Sequence, residues 1–269
     1  MTNWPNWQKV LLPLLPLTIA TNLFGLAVGV ITPAAAIGAD WATIQKRGYL
    51  VVGVKDNLPP LGFRNEADQL VGLEIDIAKR LAQELLGDET LVEFVPLANR
   101  DRLDALWSDR VDIVIAQITL TNNRARLVDF TLPYYTDGMA LVARKGRESD
   151  DFNRSARIAV LGGSANITAL QYYFPTADLI GVDSYQSGLA ALQTNQVDAF
   201  AGDRSVLSFW LQSHPEFVAI EQNLAPTSLA IAMPKGLQYQ ELRHGVYAQI
   251  EQWRESGWLR ERADHWGLP

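Results

Sequence analysis

The chain has 269 residues, enough for one large domain or two of ordinary size. Its 30 Asp and Glu outnumber 23 Lys and Arg with no basic run, which argues against nucleic acid as a partner. Apolar residues make up 48% of a sequence with no cysteine, so it reads as a folded globular protein without disulfides, thiolate metal sites, cysteine catalysis or a lipid-modified cysteine.

Residues 1–39 differ in kind from the rest. Lys9, an apolar run over 10–32 and small residues from Ala34 match the three parts of a secretory leader, with cleavage expected between Ala34 and Ala39. The run is long enough to span a bilayer, so an uncleaved anchor is the alternative; Pro13 and Pro16 interrupt its first half and favour the leader.

From there the pattern alternates between strand and helix. Residues 50–54 form a short apolar run that reads as a buried strand. The following stretch, 55–63, is rich in turn formers and predicts a loop, yet it carries Leu58, Leu61 and Phe63, which line a pocket or fold back onto the core. Leu73, Ile77, Leu81 and Leu85 recur at i+4 and predict an amphipathic helix stopped by Gly87. A second strand is expected over 91–95, and Asn99 is placed to cap the helix carrying Leu103, Leu106 and Trp107. His214, His244 and His265 are scattered without ligand spacing, so no metal or other cofactor is expected.

One pattern occurs twice. Leu103, Leu106, Val111 and Asp112 are matched 86 residues later by Leu189, Leu192, Val197 and Asp198. Each copy continues into a short apolar strand, over 113–116 and 199–202, and ends on a polar residue, Gln117 and Asp203. Carboxyl ends of strands in open α/β sheets face the ligand crevice, so two matched ends imply two lobes built alike with a site between them.

The segment 116–135 carries a family resemblance. Thr119, Thr121 and Arg124 stand in a T-x-T-x-x-R arrangement, and Val128-Asp-Phe-Thr-Leu-Pro-Tyr-Tyr135 follows. With Gly72-Leu-Glu-Ile-Asp-Ile-Ala78, Val111-Asp112, Val197-Asp198 and Pro234-Lys-Gly236, the sequence from about 45 to 268 resembles the family 3 solute-binding proteins of amino-acid uptake systems. The resemblance implies an α/β, two-lobed periplasmic-binding-protein fold of type II, each lobe a β-sheet flanked by helices. Lobe 1 would comprise 40–134 and 229–269, lobe 2 138–225, with a two-strand hinge at 134–138 and 225–229. It implies an exported, soluble periplasmic monomer that captures a free L-amino acid and presents it to the membrane subunits of an ABC permease.

A free amino acid presents a carboxylate and an ammonium, and burying both requires a partner for each. Arg124 offers a planar fork suited to a carboxylate, and the resemblance makes it that clamp. Thr119 and the backbone amides near Gln117 and Thr119 would assist it. The resemblance sets Asp203 against the ammonium, while its position alone also suits a cap for the helix beginning at Arg204. The turn over 161–166, with Ser164 and Ala165, precedes a helix containing Ile167 and Leu170 and is a second carboxylate-binding element or a plain turn.

Three positions depart from the family pattern. Lys55 aligns where several members place an Asp toward a cationic ligand side chain, Asn99 where an aromatic is frequent, and Gln117 where a small residue is common. Together with Leu58 they describe a pocket suited to a polar or acidic amino acid rather than Lys or Arg; alternatively Lys55 points to solvent and neutral ligands in general fit. Catalysis is not expected. The same fold also resembles periplasmic cyclohexadienyl dehydratases, but the charged candidates near the cleft are Lys55, Asp56, Arg124 and Asp203, two of them already assigned to ligand charges. A membrane-anchored amino-acid sensor is the third possibility.

Overall fold

The structure is a computed structural model that describes residues 40–147, 152 and 155–268; the expected leader and its cleavage site lie outside them. The Asp40 carboxylate caps α1 (Trp41–Arg47) by accepting from the Thr43 amide. β1 (Leu50–Val54) is buried at every position, as its unbroken apolar run requires.

The stretch read as a loop instead folds back on itself. β2 (Asn57–Leu58), β3 (Gly62–Arg64) and β4 (Leu70–Val71) make a small antiparallel sheet. Leu61 enters the core, Phe63 packs edge-on against Trp266 at 5.8 Å, and Leu58 is buried at the cleft. At Gly72 (φ +126°) a Cβ would lie 2.3 Å from the Leu61 carbonyl oxygen, so a side chain has no room. This close approach lets the amides of Leu73 and Glu74 donate to the carbonyls of Pro60 and Leu61, which sets the first turn of α2 (Leu73–Leu86) beneath the cleft. That helix buries Leu73, Ile77 and Leu81 and ends at Gly87 in the left-handed conformation. Each such side chain contributes roughly 1.5–3 kcal/mol by leaving water.

β5 (Val92–Pro96) begins one residue later than expected. Asn99 does not cap the next helix: a 3₁₀ turn over Asn99–Asp101 intervenes, and α3 (Arg102–Trp107) starts after it without a side-chain cap. The first lobe continues through β6 (Ile113–Ile115), α4 (Asn122–Ala125) and β7 (Asp129–Phe130). The second lobe contains β8 (Tyr135–Arg144), β9 (Arg157–Leu161), α5 (Asn166–Tyr173), β10 (Asp178–Val182), α6 (Tyr185–Gln193), β11 (Ala199–Asp203), α7 (Arg204–Leu211) and β12 (Phe217–Leu229). The chain then returns through β13 (Ala232–Met233), α8 (Gln240–Glu255) and α9 (Trp258–His265).

The two principal sheets have the same plan. One is ordered β5-β1-β6-β13-β7 and the other β10-β9-β11-β8-β12. In each, three parallel strands are followed by an antiparallel one, β13 or β8. The two segments that pass between the sheets, at the start of β8 and the end of β12, pair with each other from Tyr135 opposite Leu229 to Asp137 opposite Thr227.

The repeated Val-Asp pair has a structural role in both copies. Asp112 accepts the Val51 amide of β1 at 2.7 Å, and Asp198 accepts the Arg157 amide of β9 at 2.9 Å. Arg47 pairs with Asp112, while Arg157 and Arg147 pair with Asp198. Each Asp thereby joins the strand carrying its lobe's cleft-facing end to the parallel neighbour.

Candidate functional site

The matched strand ends meet across the cleft. Gln117, two residues beyond β6, is buried with φ +49°, a left-handed conformation unusual for a side chain of its size. Its amide donates to Glu74 Oε1 at 2.6 Å, and its carbonyl accepts from Arg102 Nη1 at 2.6 Å. The Gln117 amide is thus engaged inside lobe 1 and is not directed at a ligand carboxylate, contrary to expectation. Its side-chain Nε2 reaches into lobe 2, donating to Asp203 Oδ2 and to the Tyr185 hydroxyl at 3.2 Å.

Asp203 occupies the position preceding α7 but makes no side-chain cap there. Asp137 takes the capping role: its carboxylate accepts the Ser205 amide at 3.1 Å and the Ser205 hydroxyl. This frees Asp203 to face the cleft, where Oδ1 accepts from Asn166 Nδ2 at 3.1 Å and its own amide donates to the Tyr185 hydroxyl at 2.8 Å. The Tyr185 ring fits because residue 202 is glycine; a Cβ there would lie 2.7 Å from the ring. Burial, reinforced by the nearby Asp137 carboxylate, raises Asp203 to about 7, against the opposing pull of Asn166 and Arg102.

Arg124 comes from the short helix α4, which Thr121 caps. The half-buried guanidinium donates through Nη1 to the Thr119 carbonyl at 3.0 Å and through Nη2 to the Gly163 carbonyl of lobe 2 at 3.2 Å. These two contacts leave other donors of the five-donor fork available. Burial lowers the Arg124 pKa, and the Asp203 carboxylate across the cleft raises it in part. Beside Gly163, the Ser164 amide closes a turn onto the Leu161 carbonyl, and the Ser164 hydroxyl accepts from the Asn166 amide. Ser164 and Ala165 accordingly stand at the start of α5, next to the guanidinium.

Lys55, Leu58, Asn99 and Gln117 line one cavity of about 350 Å³, which Leu161, Ser184 and Tyr185 close from the other lobe. Lys55 does not point to solvent: it is 7% exposed, and its Nζ donates to the Leu97 carbonyl at 2.8 Å. Burial and the Arg102 charge lower its pKa. Asn99 Oδ1 is buried without a hydrogen-bond partner. Gln186 Nε2 donates across the cleft to the Asn57 carbonyl at 2.7 Å.

Two charged groups beneath the cleft escape the sequence reading, which counted only Lys55, Asp56, Arg124 and Asp203. Glu74 is fully buried, accepting from Gln117 and from the Tyr134 hydroxyl at 2.6 Å; burial raises its pKa and those two hydrogen bonds oppose the shift. Arg102 donates to the carbonyls of Asn99, Ala116 and Gln117. Burial, and then the charge of Arg124, lower it to about 10, so it remains a cation at neutral pH. Glu74 lies within the segment Gly72–Ala78, but its place in a first helical turn suits an ordinary partner for the helix dipole.

This arrangement, a cation and an anion from opposite lobes beside a polar cavity, lies in a two-lobed α/β fold of the amino-acid-binding type. The sequence profile of the bacterial extracellular solute-binding proteins, family 3, matches residues 50–269, and the chain belongs to that family. It is 28% identical over 196 residues to the glutamine-binding protein of Geobacillus stearothermophilus, covering 71% of this chain and 75% of that protein. The solute receptor for L-cysteine of Neisseria gonorrhoeae has a similar structure, with a TM-score of 0.78, 27% identity, and 84% and 93% of the two chains covered. An ancestral amino-acid-binding protein described as a precursor of cyclohexadienyl dehydratase also superposes, with a TM-score of 0.74, 27% identity, and 84% and 97% covered. No helix among the described residues is long and apolar enough to cross a membrane.

Proposed function

We propose that this protein binds a free L-amino acid, polar or acidic at its side chain, between its two lobes and delivers it to the membrane subunits of an ABC permease. The observation that carries this reading is the placement on opposite lobes of the Arg124 guanidinium, which reaches the Gly163 carbonyl across the cleft, and the buried Asp203 carboxylate, next to a cavity lined by Lys55. Arg124, with Thr119 and the Ser164–Ala165 turn, holds the carboxylate, and Asp203 holds the ammonium. Lys55, Asn99, Leu58 and Gln117 surround the side chain. A cationic ligand side chain is disfavoured because Lys55 and Arg102 already supply positive charge there.

A ligand touching both lobes stabilises their closure by its differential affinity for the closed form. The paired strands β8 and β12 serve as the hinge. The protein works in the periplasm as a monomer after removal of its leader, and binding, not catalysis, is its activity.

A thermal-shift screen of the protein recovered after export of the full chain, against the twenty amino acids, tests the reading. A ligand at a hundred times its Kd stabilises the folded state by about 2.7 kcal/mol. A polar or acidic amino acid is expected to raise Tm, Lys and Arg are not, and the Arg124→Ala variant is expected to show no shift. Silence with all twenty refutes the proposal.

A further inference from the structure

Gln117 belongs at once to the zwitterion-binding groups and to the side-chain cavity: it lines the cavity and donates to Asp203. Its backbone is fixed on both sides, the amide by Glu74 and the carbonyl by Arg102, with φ held at +49°. Held so, its side-chain NH₂ reaches Asp203 and the Tyr185 hydroxyl, both on lobe 2. The group it offers is a hydrogen-bond donor, the same kind that an amino acid's ammonium offers to the same carboxylate. A carboxylate oxygen buried against a fixed donor cannot accept a bulkier ammonium in that direction until the donor withdraws.

We propose that the Gln117 side chain is a built-in latch: in the absence of ligand it occupies the Asp203 carboxylate and ties the lobes together, and the ligand ammonium must displace it to bind. This inference rests on the amino-acid reading of the site. Gln117 thereby lowers affinity by competing for Asp203, a cost that outweighs what its displaced side chain gains beside the ligand. The neighbouring contacts of Arg124 with Gly163 and of Gln186 with Asn57 also cross the cleft, but neither uses Asp203.

The test compares the wild type with Gln117→Gly, which removes the side chain, keeps both backbone anchors and suits the positive φ. Gln117→Asn, also tolerant of that conformation but one methylene shorter, serves as the second variant. Small-angle scattering of ligand-free protein is expected to show a larger radius of gyration for both variants. Calorimetry with the amino acid found in the thermal screen is expected to show about tenfold tighter binding for Gln117→Gly, equivalent to ~1.4 kcal/mol. Unchanged ligand-free dimensions, or affinity that is unchanged or weaker in the variant, overturns it while leaving the amino-acid reading intact. Failure of both wild type and variant to bind any of the twenty overturns that reading, and the competition with it.

Discussion

The two lobes use the same device at one point and different ones at the next. Asp112 and Asp198 each accept a backbone amide from the neighbouring strand and each pair with arginine. A few residues on, the matched strand ends diverge: the Gln117 amide is held by the buried carboxylate of Glu74, and the Asp203 amide by the neutral hydroxyl of Tyr185. Repetition preserved what builds a lobe, and divergence fell where the lobes face each other. The residue types follow from this, since one end must hold a donor and the other an acceptor for a ligand or a latch to join them.

The largest expected effect tests that divergence directly. Glu74→Ala removes a buried carboxylate that serves Gln117 and Tyr134 and neighbours Arg102, and is expected to lower unfolding stability by about 3–5 kcal/mol in denaturant titration. Tyr185→Phe, the corresponding change in lobe 2, removes a hydroxyl rather than a carboxylate and should cost about 1–2 kcal/mol in the same assay. Equal losses would mean that the two anchors are equivalent after all.

Next come the charges that differ between the lobes. Arg124→Ala and Asp203→Asn are each expected to weaken ligand affinity by about 2–5 kcal/mol in calorimetry, because each leaves a ligand charge unpaired. For the conserved device, Asp112→Asn should cost more stability than Asp198→Asn, about 2 against about 1 kcal/mol, since the Asp112 side chain is 0% exposed and that of Asp198 16%. A reversed order would show that burial does not govern the matched pair.

The smallest effect concerns pH. Burial raises Asp203 to about 7, so its folded value lies above its unfolded one. Its contribution to ligand-free stability is therefore fully present below the unfolded carboxylate range and is lost as pH rises through about 7. On the proposed reading, in which the ionised carboxylate receives the ammonium, ligand binding has the opposite sign: Kd should be flat above pH 7 and weaken about tenfold per unit below it. The charges facing Asp203 are Asp137, Arg102 and Arg124. A Kd independent of pH between 5 and 8 would assign the ammonium to another acceptor.

Much of the scaffold was legible from local rules. The valine-rich run of β1 and the i+4 leucines of α2 with Gly87 behind them carry their own boundaries, because burial periodicity and a left-handed stop are local signals. The hairpin over 57–71 was not, since its strands are two or three residues long and its prolines read as loop. Glu74 and Arg102 were hidden for another reason: each looks like an ordinary surface charge on a helix, and only the approach of Gln117 makes them anchors. Asp203 was legible as a cleft residue, but that Asp137 relieves it of capping depends on the Asp137–Ser205 contact, whose partners lie 68 residues apart in sequence.

β13 lies between β6 and β7, so the first sheet is completed by residues that follow the whole of the second lobe. The second lobe is contiguous and complete once Leu229 is made, whereas the first, begun earlier in the chain, must wait for residues 232–233. A chain cut just before β13 would lose the pairing that joins β6 to β7 in the first sheet rather than a dispensable tail.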